Sequence, residues 1–100
     1  MKNYQTDILK AIDNCQTELD YIPHDFLKMI DNLGFVGASK QLLSNEQYIQ
    51  SGIMRLWKER KLEWSVEAIV VKPEHKHLFT YTEVMTAHKR LKDLGYSPKI

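Results

Sequence analysis

The chain has 100 residues and carries 14 Lys/Arg against 13 Asp/Glu, a formal net charge of +1. That length holds one hydrophobic core and not two, and 43% hydrophobic with 27% charged residues describes a soluble globular domain rather than a disordered chain. The composition argues against a dedicated nucleic-acid binder, which is usually more basic, and against a membrane span, since the longest apolar run, residues 68–71, falls far short of ~20 residues.

The first segment predicts an amphipathic helix over residues 3–19. Tyr4, Ile8, Leu9, Ile12, Cys15 and Leu19 recur at helical spacing, with Asp7, Asp13 and Glu18 largely off that stripe. Pro23 breaks this helix and opens a second one, where its missing N–H costs nothing. Asp25 suits the positive N-terminal end, Phe26, Leu27, Ile30 and Leu33 form the apolar face, and Gly34 is placed as a left-handed cap. A short third helix opens at Phe35 and ends near Leu42-Leu43, with Gly37 and Ala38 small enough for a close neighbour.

Ser44-Asn45-Glu46-Gln47 fits a capping box for a fourth helix running to about Lys61. Its inner stripe is Tyr48, Ile49, Ile53, Leu56 and Trp57; its outer face holds Gln50, Met54, Arg55, Lys58 and Lys61. Residues 66–72 are ambiguous. Ile69-Val70-Val71 favours a strand, yet there is no second β-run to pair with, and Ser65 as N-cap with Glu67 behind it favours a short helix. The helix is preferred. Thr80-Tyr81-Thr82-Glu83 is a second capping box, followed by the stripe Val84, Ala87, Leu91 and Leu94, with Gly95 as terminator. The expected fold is therefore all-α: a compact single domain, residues 1–100, of five or six short helices. Residues 52–80 organise it, and Leu56, Trp57, Trp64, Leu78, Phe79 and Leu91 are central to its core.

Candidate chemistry is sparse. His75 and His77 lie one residue apart beside Glu74, a spacing that fits neither face of a helix, and Pro73 makes the segment a turn. They are expected to be solvated loop histidines, and no metal or other cofactor is expected. Cys15 sits on the buried stripe, where a thiol is a small inert hydrophobe. There is neither a Gly-x-Ser-x-Gly elbow nor a phosphate-binding Gly-rich loop, so no catalytic residues are assigned. Glu67 lies among apolar residues; it is expected to complement its helix terminus or to pair with Arg55 or Lys58.

Charge is split along the chain. Residues 1–50 hold four Lys/Arg and seven Asp/Glu; residues 51–100 hold ten and six. Arg55, Lys58 and Lys61, with Lys89 and Lys92, form the candidate binding face, to which Lys72, Lys76 and Arg90 add. Glu59 and Glu63 dilute it, and both tryptophans read as internal rather than available to stack on bases. These features favour a non-enzymatic module that binds another protein. Nucleic-acid binding through the C-terminal basic face is the alternative, and a hydrolase subunit completed by a partner is a third. The lone cysteine and the absence of an apolar h-region in the first ten residues point to the cytoplasm.

The succession Gly34-x-x-x-Ala38-x-x-x-Leu42-Leu43, Gly52-x-x-x-Leu56-Trp57, Leu62-x-x-Ser65-Val66-Glu67-Ala68, Pro73 and Leu78-Phe79-Thr80 resembles an uncharacterised small helical module of bacterial and phage proteins. The resemblance covers residues 18–96 or so. It implies a helical fold and a bacterial, phage or mobile-element setting, sometimes as a tail domain of restriction proteins, with no recognised active site. Where many such sequences read Gly-Arg-Leu-Asp-Leu, this chain has Arg60-Lys61-Leu62-Glu63-Trp64, which leaves Ser65 to cap the next helix alone.

Overall fold

A computed structural model describes residues 3–44 and 52–96. Five helices follow one another: α1 (Tyr4–Leu19), α2 (His24–Ser44), α3 (Gly52–Lys58), α4 (Val66–Val70) and α5 (Tyr81–Asp93), with 3₁₀ turns at Leu62–Trp64 and Lys76–Leu78. The described residues contain no strand, so the all-α bundle expected from the sequence is what the chain forms. None of these helices is long and apolar enough to cross a membrane.

Asn3 starts α1, its side chain accepting from the Thr6 N–H at 2.8 Å, as an N-cap should. The buried stripe is Tyr4, Asp7, Ile8, Ala11, Ile12 and Cys15. Two expectations are corrected here. Leu9 is 48% exposed, and Asp7, expected off the stripe, is buried. At 100° per residue Leu9 points about 140° from Tyr4, whereas Asp7 lies within about 60° of it. Cys15 is buried on the stripe as expected, and burial pushes its thiol up, with Arg55 opposing.

In α2 the helix is broken at Gly34, where φ is 79° and ψ 175°, a region that only glycine occupies readily. α2 is thus the two expected helices run together, divided at Gly34 as the sequence indicates. Ser44 is the last residue of α2, and its hydroxyl donates to the Gln41 carbonyl. The remainder of that capping box, with Tyr48, Ile49 and Gln50, lies outside the described residues.

α3 ends earlier than expected, at Lys58. The Lys61 N–H donates to the Leu56 carbonyl at 2.8 Å and the Arg60 N–H to the Trp57 carbonyl at 3.1 Å, a Schellman closure with Arg60 in the left-handed position at φ 60°. Gly95 closes α5 the same way, its N–H donating to the Lys92 carbonyl and that of Tyr96 to the Leu91 carbonyl. The start of α5 is the capping box foreseen: Thr80 accepts from the Glu83 N–H and the Glu83 carboxylate accepts from the Thr80 N–H.

α4 settles the strand-or-helix question in favour of the helix. The Ser65 hydroxyl accepts from the Ala68 N–H at 3.1 Å and donates to the Leu62 carbonyl at 2.6 Å. Ala68, Ile69, Val70 and Val71 are all buried, with α1 on one side and α5 on another. Apolar residues all round a helix suit such a central place. Around it gather Tyr4, Ile8, Phe26, Ala38, Leu43, Phe79, Ala87 and Leu91. A smaller cluster, Cys15, Ile53, Leu56 and Leu62, lies beside it, and Trp64 and Tyr96 pack against both. Leu56, Phe79 and Leu91 are core residues as expected, and Leu78 and Trp64 are partly buried. Trp57 is not in the core: it is 44% exposed.

Candidate functional site

Two polar assemblies sit inside the bundle, and the five cations of the expected binding face are divided between α3 with the turn after it and α5. On α3 the Arg55 guanidinium donates to the Leu19 carbonyl at 2.9 Å and to Glu59 at 3.1 Å. It also lies 5.3 Å from the Tyr21 ring centroid. It therefore serves α1, whose C-terminal carbonyls attract a cation. Lys61 places its ammonium 5.0 Å from the Trp64 ring centroid. Lys58, Lys89 and Lys92 are exposed. Two of the five cations in the candidate face are thus engaged within the domain. Arg90, counted beside them, is buried.

Arg90 belongs instead to the first interior assembly. Its Nη1 donates to Glu67 Oε2 at 3.1 Å and to the Leu42 carbonyl, and its Nη2 donates to the Leu43 carbonyl. One guanidinium thereby joins α5, α4 and the C-terminal end of α2. Glu67 pairs with Arg90 and not with Arg55 or Lys58. Burial pushes the Glu67 carboxyl up, and its backbone hydrogen bond and Arg90 oppose that rise.

The second assembly holds a residue that sequence placed in solvent. His75 is 2% exposed, which corrects the expectation of a solvated loop; His77 is exposed as anticipated. The turn after α4 folds His75 inward: its N–H donates to the Lys72 carbonyl, and its carbonyl accepts from Leu78. Its Nε2 then lies 2.6 Å from Asp7 Oδ2. With Asp7 ionised, the carboxylate accepts and Nε2 carries the hydrogen. Tyr4 packs edge-on against the imidazole at 5.2 Å and against Phe79 at 5.4 Å. Its hydroxyl donates to Ser39 at 2.6 Å, and Ser39 donates to the Phe35 carbonyl. Burial holds the Tyr4 phenol protonated far above its ordinary range. The Lys72 ammonium lies 3.9 Å from Asp7, and Glu74, exposed, brings its carboxylate to the same place. Single ligand atoms of Asp7, Glu74 and His75 all fall within 4.8 Å of one another.

Helical arithmetic on α1 was the available signal for Asp7. Nothing local marks His75 for burial, because its partner is 68 residues away. Comparison with protein-family models, with curated proteins and with solved structures finds no match to this chain.

Proposed function

We propose that this chain is a non-enzymatic protein-binding module of a bacterium, phage or mobile element, working in the cytoplasm, and that it receives an acidic segment of its partner against Trp57. The observation that carries this reading is the placement of Trp57. A large aromatic stands 44% exposed at the end of α3, next to the exposed cations Lys58 and Arg60. Half-exposed tryptophans flanked by cations suit an interface anchor, since Trp and Arg dominate binding energy at protein contacts. The net excess of cations in residues 51–100 gives the partner's sign. The buried carboxylates of Asp7 and Glu67 already have partners inside the domain, His75 and Lys72 for Asp7 and Arg90 for Glu67, which supports a structural part for them.

Nucleic acid is the second reading, and one observation favours it: an exposed Trp57 is able to stack on a base, contrary to the sequence expectation. Against it, Arg55 and Lys61 are already engaged, leaving Lys58, Lys89 and Lys92 of that face for phosphates. A photo-crosslinking residue substituted at Trp57, activated in native cells with and without nuclease, separates the two. The expected result is a nuclease-resistant crosslink to an acidic protein segment, with native partner capture lost in a folded Trp57→Ala variant. Crosslinks that vanish with nuclease put nucleic acid first. So would duplex binding tighter than about 100 μM at physiological salt, falling with a log–log slope of roughly 0.9 per phosphate contacted. Capture indifferent to Trp57→Ala removes the tryptophan from the interface.

A further inference from the structure

We propose that Asp7, Glu74 and His75 form a binding site for one divalent transition-metal ion of the zinc type, joining the first turns of α1 to the turn after α4. Three different side chains bring ligand atoms within 4.8 Å of one another, and they come from two distant parts of the chain. Two of the three, Asp7 and His75, are buried and already fixed against each other at 2.6 Å. Fixed, desolvated ligands lose little freedom when an ion arrives. The exposed third, Glu74, sits next to Pro73 at the surface and is free to adjust. A buried carboxylate here already draws a cation, the Lys72 ammonium at 3.9 Å, so the local field favours positive charge.

The donor set decides the class of ion. An imidazole with two carboxylates suits zinc and its neighbours, while calcium takes six to eight oxygens. Ligands bound at about 2.0–2.2 Å around a tetrahedral ion stand roughly 3 Å apart or more. The Asp7–His75 separation therefore opens from 2.6 Å by about 0.7–1 Å. The ring nitrogen that takes the ion carries no hydrogen in the bound state, and the other ring nitrogen carries it instead. Lys72 swings outward, which its half-exposed side chain permits. Three protein ligands leave one position for water, and Asp7 among them also lines a surface hollow with Lys10, Asn14 and Lys72.

The test uses the full chain, stripped with chelator and titrated with zinc chloride, followed by calorimetry and thermal melting. One zinc per chain and a raised melting temperature are expected, with calcium producing neither. Glu74→Gln is the informative variant, because an exposed carboxylate is dispensable to folding. Loss of an outer-shell partner weakens metal sites by about 10–100-fold, and loss of this ligand should weaken zinc binding at least tenfold. Lys72→Met should tighten it, and His77→Gln should leave it unchanged. The proposal is overturned by absence of zinc binding in the native chain. It is equally overturned by wild-type affinity in Glu74→Gln, or by binding that depends on His77 instead.

Discussion

Arg90 Nη1 lies 3.1 Å from Glu67 Oε2 with both side chains almost wholly inside the protein, and the same guanidinium holds the last carbonyls of α2. A buried pair of this kind pays its desolvation through geometry, so removing one partner is worse than removing both. Three helices depend on that single side chain for their relative placement.

Arg90→Met should therefore cost about 3–5 kcal/mol, while Glu67→Leu combined with Arg90→Met should recover most of the loss. Urea unfolding of the two variants checks this. The pH dependence has a definite sign. Burial raises the Glu67 carboxyl, so the folded state holds its proton more tightly than the unfolded state. The associated stability is present below the unfolded value of about 4.3 and is lost as pH rises through the folded one. Removing the opposing Arg90 charge should steepen that decline. A loss in Arg90→Met as large at pH 5 as at pH 8 would show that Glu67 does not take up a proton there.

Arg60 and Gly95 occupy the same position in two Schellman closures, with φ of 60° and 80°. A left-handed conformation costs a residue with Cβ roughly 1–2 kcal/mol. Arg60→Gly should thus stabilise the protein by about 1 kcal/mol, less whatever freedom glycine gains on unfolding. Gly95→Ala should destabilise by a similar amount, and through conformation alone, because an added Cβ there meets nothing within 4 Å. Opposite shifts in urea midpoint are the expected signature.

Trp57→Ala tests where the tryptophan stands. Truncating a buried tryptophan costs about 3–5 kcal/mol; with Trp57 nearly half exposed the cost should be about 1 kcal/mol, nearer the range of surface substitutions. Leu56→Ala, one position earlier and buried, should cost about 2–5 kcal/mol. Equal losses in chemical denaturation would return Trp57 to the core.

His75→Ala leaves the Asp7 carboxylate without its 2.6 Å partner and takes away the ring on which Tyr4 rests. A cost of about 1–3 kcal/mol is expected for losing one buried hydrogen bond to a carboxylate. His77→Ala, on an exposed side chain, should stay within about 0.5 kcal/mol. Denaturant midpoints of the two single variants make the comparison.

The helices were legible wherever a cap and a stripe agreed. Asn3, Ser65 and Thr80 each supply an oxygen to an orphan N–H, and such bonds are local, so spacing reveals them. Ser65 even outweighed the strand preference of Ile69-Val70-Val71. The polar interior was not legible, for a different reason. Asp7 with His75, and Glu67 with Arg90, are pairs separated by 68 and 23 residues, and no local pattern chooses such partners. Glu67 was singled out by its apolar neighbours, yet its cation was sought on the wrong helix. Trp57 failed through geometry of another sort. Periodicity gives the angle of a side chain about the helix axis, not how far along that axis the neighbouring elements reach. α3 rests on the Leu62–Trp64 turn, and its terminal tryptophan stays partly uncovered.

The central position of α4 also bears on the order in which the protein is born. α2, which α1 also packs on, follows it out of the ribosome directly, but Tyr4 and Ile8 share their core with Ala68, Ile69, Val70 and Phe79 as well, which come much later. At about 5–20 residues per second, α1 waits on the order of 3–14 s for residues near His75 to be made. During that interval the part of its stripe that α4 and Phe79 cover is available to chaperones. Docking of the first helix against α4 is therefore a late event of biosynthesis, and slowing translation across residues 45–65 should lengthen chaperone residence on α1.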